Sequence, residues 1–169
     1  MNDSPHLFSA GVGRSDITPP GDCFLEGFAG RDHYAEGIHD PLEATALALK
    51  TGGRRMVIVA LDILDLPDSL IDEIWAGAKA RFGFEPRDLI INCSHTHAGP
   101  MTWTRIHQPD IPDPKKVFPD PDYLRRLENG IFDAIGTALD ALAPARASRG
   151  FGETRIGICR RARDVSVYK

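Results

Sequence analysis

The sequence predicts an α/β fold, a mixed sheet with flanking helices, on three observations. Two strand-like runs, 41–50 and 54–64, are joined by the Gly-containing turn TGG, which predicts a β-hairpin. A helix-periodic stretch over 68–83 then separates the apolar run VIVALDIL from the apolar run LIINC. Strand, helix, strand in that order predicts a crossover unit. A second helix-periodic stretch runs from Pro121 towards Pro144.

Taken in order, SAGVGRSDITPPG (9–21) reads as a short strand halted by Pro-Pro-Gly, since proline removes a ladder donor and glycine permits a turn. CFLEGFAGRDHYAEGIHD (23–40) has no clean period and reads as a loop. Met56 to Leu61 is almost continuously apolar, the pattern of a strand covered on both faces. In the first helix Leu70, Ile71, Ile74, Trp75, Ala78 and Phe82 fall on one face, Ser69 and Asp72 have the spacing of a capping box, and Gly83 supplies a stop. RDLIINC (87–93) is a further buried strand.

Pro100, Pro109, Pro112, Pro114 and Pro119 exclude helix and central strand from 98–120, and a loop of that length inside a domain is commonly functional. Asp120 can cap the second helix, Pro121 suits its first position, and Leu124, Leu127, Ile131, Ile135, Leu139 and Leu142 form its apolar stripe. ARASRGFGETRIGICRR (145–161) reads as one more strand pair.

A chain of 169 residues, 42% hydrophobic and 26% charged, has the size and composition of a single globular domain spanning 1–169. Its 24 acidic residues exceed its 20 basic ones and no basic stripe is clustered, which argues against a nucleic-acid partner. The N-terminus has no basic start followed by an apolar stretch, and no apolar run approaches the roughly 20 residues of a membrane span; the expected location is the cytoplasm. Cys23, Cys93 and Cys159 match no zinc-finger or redox spacing and read as unpaired thiols, Cys93 in the core.

Chemistry concentrates in SHTHAGP (94–100), directly after LIINC. If the strand stays extended through it, His95 and His97 point the same way at the carboxyl end of a strand, where α/β folds place their sites, and Gly99-Pro100 then turns the chain. Spacing alone leaves two readings open, a hydrogen-bonded structural pair or a set of metal ligands. Ser94 and Thr96 offer hydroxyls that can fix imidazole tautomers. A mononuclear catalytic zinc needs about three protein ligands and an open position. The other candidates are His39 in GIHDPL, Asp62 at the end of VIVALD and His107 in the proline-rich loop. Asp62 is also readable as a helix-entry carboxylate and His39 as a loop-ordering residue, while His6, His33 and His107 read as surface. GVGRSD lacks the Lys-Ser/Thr ending of a phosphate loop, and neither G-x-S-x-G nor H-E-x-x-H occurs.

GVGRSDITPP, GIHDPLEATALAL, VIVALDIL, SHTHAGP and IGICRR, in that order and over almost the whole chain, resemble the N-terminal domain of the neutral/alkaline non-lysosomal ceramidase family. HTHAGP is the specific element, close to that family's H-T-H-S-G-P with Ala98 in place of serine. The resemblance implies zinc-dependent hydrolysis of the amide bond of an N-acyl sphingoid base. It implies that His95 is a zinc ligand and His97 the proton-transfer residue beside it. It also implies that Arg160 contributes to the site, although Cys159 stands where the family usually has asparagine.

The family's remaining ligands, a second histidine, a glutamate and a tyrosine, lie downstream of the region covered here. The resemblance therefore implies an incomplete catalytic domain, completed by further C-terminal sequence or by a partner chain. Two other functions use the same residues. One is a metal hydrolase for a different small amide, ester or lactone, with the loop around Trp103 shaping an apolar mouth. The other is a truncated or repurposed domain that binds or supports without catalysis.

Overall fold

The structure, a computed structural model, describes residues 8–28, 30–103, 119–154 and 156. Five strands form one sheet: β1 (Ser9–Asp16), β2 (Glu43–Thr51), β3 (Arg54–Leu61), β4 (Leu89–Cys93) and the two-residue β5 (Ala143–Pro144). Their order is β4-β3-β2-β1-β5, with β3 and β4 parallel and every other pair antiparallel. The sheet is thus mixed, as the hairpin and the crossover together require. Thr51 faces Arg54 across the Gly52-Gly53 turn, and helix α1 (Asp68–Phe82) makes the crossover from β3 to β4. Helix α2 (Pro121–Asp140) follows. Among the described residues no helix is long and apolar enough to cross a membrane.

Both helices contribute to one core, on one face of the sheet. The side chains turned towards it are Ala44, Ala46 and Ala48 from β2 and Val57, Val59 and Leu61 from β3, alternating as a pleated strand demands. From α1 come Leu70, Ile74 and Ala78; from α2 come Leu127, Ile131 and Ile135. Size is graded across this face. Glycine on β1 and alanine on β2 lie under α2, and a Cβ built on Gly13 would stand 2.2 Å from the carbonyl oxygen of Ala134. The glycines of GVG, weak as a phosphate-loop signal, are therefore the seat of a helix.

The other face corrects the expectation for Met56 to Leu61. Met56 and Ile58 are only partly buried and Ala60 is exposed, because both helices lie on the opposite side. Cross-strand register instead lines up Val12, Leu47, Ile58 and Ile90 in one apolar row, with Val12 53% and Ile90 47% exposed. A continuous apolar run reports two apolar faces, not two covered ones.

The helix ends follow local chemistry. Pro67, not Ser69, stands at the cap of α1, with φ −68° and ψ 147° and no side-chain cap bond. The Ser69–Asp72 capping box is therefore not formed: proline starts the helix two residues earlier and both residues fall inside it. Gly83 does stop α1, in the left-handed conformation with φ 71°. Of the predicted apolar face Leu70, Ile74 and Ala78 are buried and Phe82 packs partly buried against the core, while Trp75 is 36% exposed. Asp120 caps α2 as expected, its carboxylate accepting from the Asp122 N–H at 2.9 Å, and Pro121 occupies the first position. Asp120→Ala is expected to lower stability by about 1 kcal/mol, read as a shift of the urea midpoint, whereas Asp120→Ser should leave most of it.

The strand pair expected over 145–161 does not form across its described part. Beyond β5, residues 145–154 hold no regular structure and are exposed, with no alternating apolar set to give one face a core. Residues 157–161 lie outside the described residues, as do His6, His107, Cys159 and Arg160.

Candidate functional site

The parallel pair β3 and β4 ends in register, Leu61 beside Cys93, so the segments leaving both strands emerge from one edge of the sheet. That is the carboxyl edge at which α/β sheets gather their sites. The two segments stay attached: Ser94 N–H donates to the Leu61 carbonyl at 2.9 Å and His95 N–H to the Ile63 carbonyl at 3.1 Å. The motif residues are thus anchored to the end of β3.

The backbone does not stay extended through the motif. β4 stops at Cys93, and His95 takes φ 59°, the left-handed region that a non-glycine residue enters at a cost. The two imidazoles nevertheless meet, with centroids 5.3 Å apart and rings at 73°. They meet because the chain kinks under the anchors from β3, not because they alternate along a strand.

Tautomer control also comes from a different group than expected. His95 Nδ1 lies 3.1 Å from the Leu64 carbonyl oxygen, which can only accept, so Nδ1 carries the proton. The neutral ring then presents a bare Nε2, the arrangement metal-ligating histidines use. The Thr96 hydroxyl is engaged elsewhere, accepting from the Ala98 N–H at 3.2 Å. His95 is exposed and His97 half-buried.

His97 is enclosed by the loop 23–40, which the sequence left without structure. The segment Phe24 to Glu26 runs antiparallel to Gly99–Met101: Glu26 N–H donates to the Gly99 carbonyl at 2.9 Å and Met101 N–H to the Phe24 carbonyl at 3.1 Å. Gly27, at φ 103°, then passes so close to His97 that a Cβ would stand 2.4 Å from the imidazole Cγ. The Phe28 ring meets that imidazole edge to face at 4.9 Å. One guanidinium nitrogen of Arg31 donates to the carbonyls of Glu26 at 3.3 Å and His97 at 3.1 Å. Gly27, Phe28 and Arg31 carry no sequence period or motif spacing; only the three glycines of that stretch hinted at an unusual backbone.

The lower-ranked candidates have contacts of their own. The Asp62 carboxylate accepts from the Glu43 N–H at 3.1 Å and so ties the ends of β2 and β3. His39 is almost fully exposed, its Nδ1 2.7 Å from Asp40. It borders a groove of about 670 Å³ whose walls include Leu25, Ile38, Leu42, Thr96 and Ala98. His39 thus shares a groove with Thr96 and Ala98 of the motif, while neither imidazole of the motif is among its walls. Burial pushes the Cys93 thiol up to about 11, with the Asp65 carboxylate adding to the effect, so it is protonated at neutral pH. Among the described residues no group of three or more His, Cys, Asp and Glu side chains is gathered closely enough to hold a metal ion. His95 suits the role of one ligand to zinc by its bare Nε2; the described residues do not supply a closed set.

Comparison with known proteins gives one answer. Residues 8–168 match the family model described as neutral/alkaline non-lysosomal ceramidase, N-terminal. Neutral ceramidase 2 of Arabidopsis thaliana is 35% identical over 104 residues, covering 59% of this chain and 14% of that protein. The neutral ceramidase of Mycobacterium tuberculosis is 26% identical over 155 residues, covering 87% of this chain and 24% of that protein. The crystal structure of neutral ceramidase from Pseudomonas aeruginosa superposes with a TM-score of 0.70 at 23% identity, over 83% of this chain and 23% of that one. The fold is thus that of a ceramidase segment, and the chain spans less than a quarter of the length of these relatives. By the match over residues 8–168, the chain belongs to the neutral/alkaline non-lysosomal ceramidase family, in its N-terminal part.

Proposed function

We propose that this chain carries the N-terminal share of a zinc-dependent amide hydrolase site that cleaves an N-acyl sphingoid base, with His95 as a metal ligand and His97 as the proton-transfer residue. The observation that carries the reading is the His95 Nδ1 contact to the Leu64 carbonyl at 3.1 Å, which presents Nε2 beside the His97 ring at the carboxyl edge of the parallel strands. The family, and relatives named as ceramidases, support the substrate class.

Zinc, when bound, supplies Lewis acidity towards the scissile carbonyl and lowers the pKa of water. His95 would hold it through Nε2. The neutral His97 imidazole accepts the proton of the attacking water and returns it to the leaving amine, which prevents expulsion of an unprotonated amide nitrogen. Burial of His97 against Gly27 and Phe28 restricts the ring to one placement, and a fixed base needs less reorganisation in the transition state. Arg160 is proposed to assist from the IGICRR segment. The remaining ligands are proposed to come from further sequence of the kind its longer relatives carry, or from a partner chain.

The test is hydrolysis by this chain, alone and joined to the remaining length of a family member, with and without zinc. A long-chain N-acyl sphingosine is compared with short acyl amides, esters and lactones. Zinc-dependent release of fatty acid from the joined protein, fastest on the sphingosine amide, is the expected result. Faster turnover of a short amide or lactone would move the substrate class. No zinc-dependent hydrolysis of any of them by the folded joined protein would remove the reading.

A further inference from the structure

We infer that Arg31 is a positioning residue for His97, acting through Phe28 and through the His97 backbone. The inference rests on the proton-transfer role proposed for His97. Arg31 does not need to reach the reacting atoms; its guanidinium sets the two surfaces between which the imidazole lies.

One nitrogen of that guanidinium accounts for the first surface. It donates to the Glu26 carbonyl at 3.3 Å and to the His97 carbonyl at 3.1 Å, across a sequence separation of 66 residues for the second bond. Glu26 ends one of the antiparallel segments joined by the Glu26 N–H to Gly99 bond and His97 lies two residues before the other, so Arg31 closes the pair just beyond its last backbone hydrogen bond. With that clamp in place Gly27 stays against the imidazole, which leaves no room for a side chain.

The second surface is Phe28, a ring 58% exposed and so weakly held by burial. A turn brings the cation above it: Arg31 N–H donates to the Phe28 carbonyl at 3.1 Å, and the guanidinium carbon lies 5.1 Å from the ring centroid. A cation over an aromatic face at this range is attractive, and here it fixes an exposed ring. The same ring meets His97 at 4.9 Å and 76°. Arg31, Phe28 and His97 therefore form a continuous run of contacts from a loop cation to the proposed base. A general base gains from being held by groups that are themselves locked.

The experiment is NMR on the metal-free, isotope-labelled 169-residue chain, following the His97 ring protons. In the wild-type chain they should show cross-peaks to the Phe28 ring and shifts displaced by its ring current. Arg31→Ala should abolish the cross-peaks and move the His97 resonances towards those of the exposed His33, while amide resonances of β2, β3 and α2 stay in place. Phe28→Leu should do the same to His97, and Phe28→Tyr should restore the wild-type pattern. Unchanged His97 resonances in Arg31→Ala would overturn the inference, as would changes spread through the whole spectrum, which would make Arg31 a fold residue. Should the Phe28 pair fail to separate, the inference also falls. None of these readouts uses turnover, so a failure here is distinct from a failure of the hydrolase reading, which appears only in the substrate comparison.

Discussion

Gly13→Val is expected to destabilise the domain by about 3 kcal/mol or more, enough to unfold many domains of this size. The reason is the identity of what a side chain would meet. A Cβ at Gly13 would stand 2.2 Å from the Ala134 oxygen and 2.5 Å from the Ala138 nitrogen, both backbone atoms of α2 that cannot swing aside. The helix must lift, and with it the fully buried Leu127, Ile131 and Ile135 lose their packing against the sheet. Gly13→Ala should show a smaller loss in the same direction. Val12→Thr, one residue away on the opposite and half-exposed face, should stay within about 0.5 kcal/mol of the wild type. Urea unfolding followed by circular dichroism decides it: a Gly13→Val chain as stable as the wild type would mean that α2 is not seated on β1.

This glycine also marks what the sequence makes legible. The β2–β3 hairpin, the crossover through α1 and the capped start of α2 were readable because their signals are local: a turn, a period, an Asp-Pro pair. The Ser69–Asp72 spacing misled because it ignores Pro67, whose fixed φ starts α1 earlier. The strand pair expected over 145–161 failed across 145–154, its described stretch, for lack of an alternating face to bury. At the site, the histidine pair was visible as spacing, but its geometry was not. His95 is bent to φ 59° by carbonyls of the segment after β3, and the loop that encloses His97 contacts it through residues some 66 positions away in the case of Arg31. No period in 23–40 encodes such contacts. Asp62, placed at the same rim by its strand, accepts from the Glu43 N–H through one carboxylate oxygen, a contact that strand order alone does not announce.

His95→Ala and His97→Ala should differ in kind, and the difference is the sharpest consequence of the proposed roles. In the protein joined to the rest of a family member's length, His95→Ala should lose bound zinc and hydrolysis together, because it removes the motif imidazole whose Nδ1 is held by the Leu64 carbonyl and whose Nε2 is presented bare. His97→Ala should keep its zinc and lower kcat by about 10²–10⁴-fold, the usual worth of a positioned general base, with KM little changed. Metal analysis and initial rates on the same preparations provide both readouts. Loss of zinc in both variants would make His97 a ligand as well, and the 5.3 Å between the rings would then be a chelating pair rather than a ligand beside a base. Retention of zinc in both would place the metal wholly on other residues. The loop clamp around His97 makes the first outcome the expected one, since a ring packed against Gly27 and Phe28 has a placement of its own that no metal bond is needed to define.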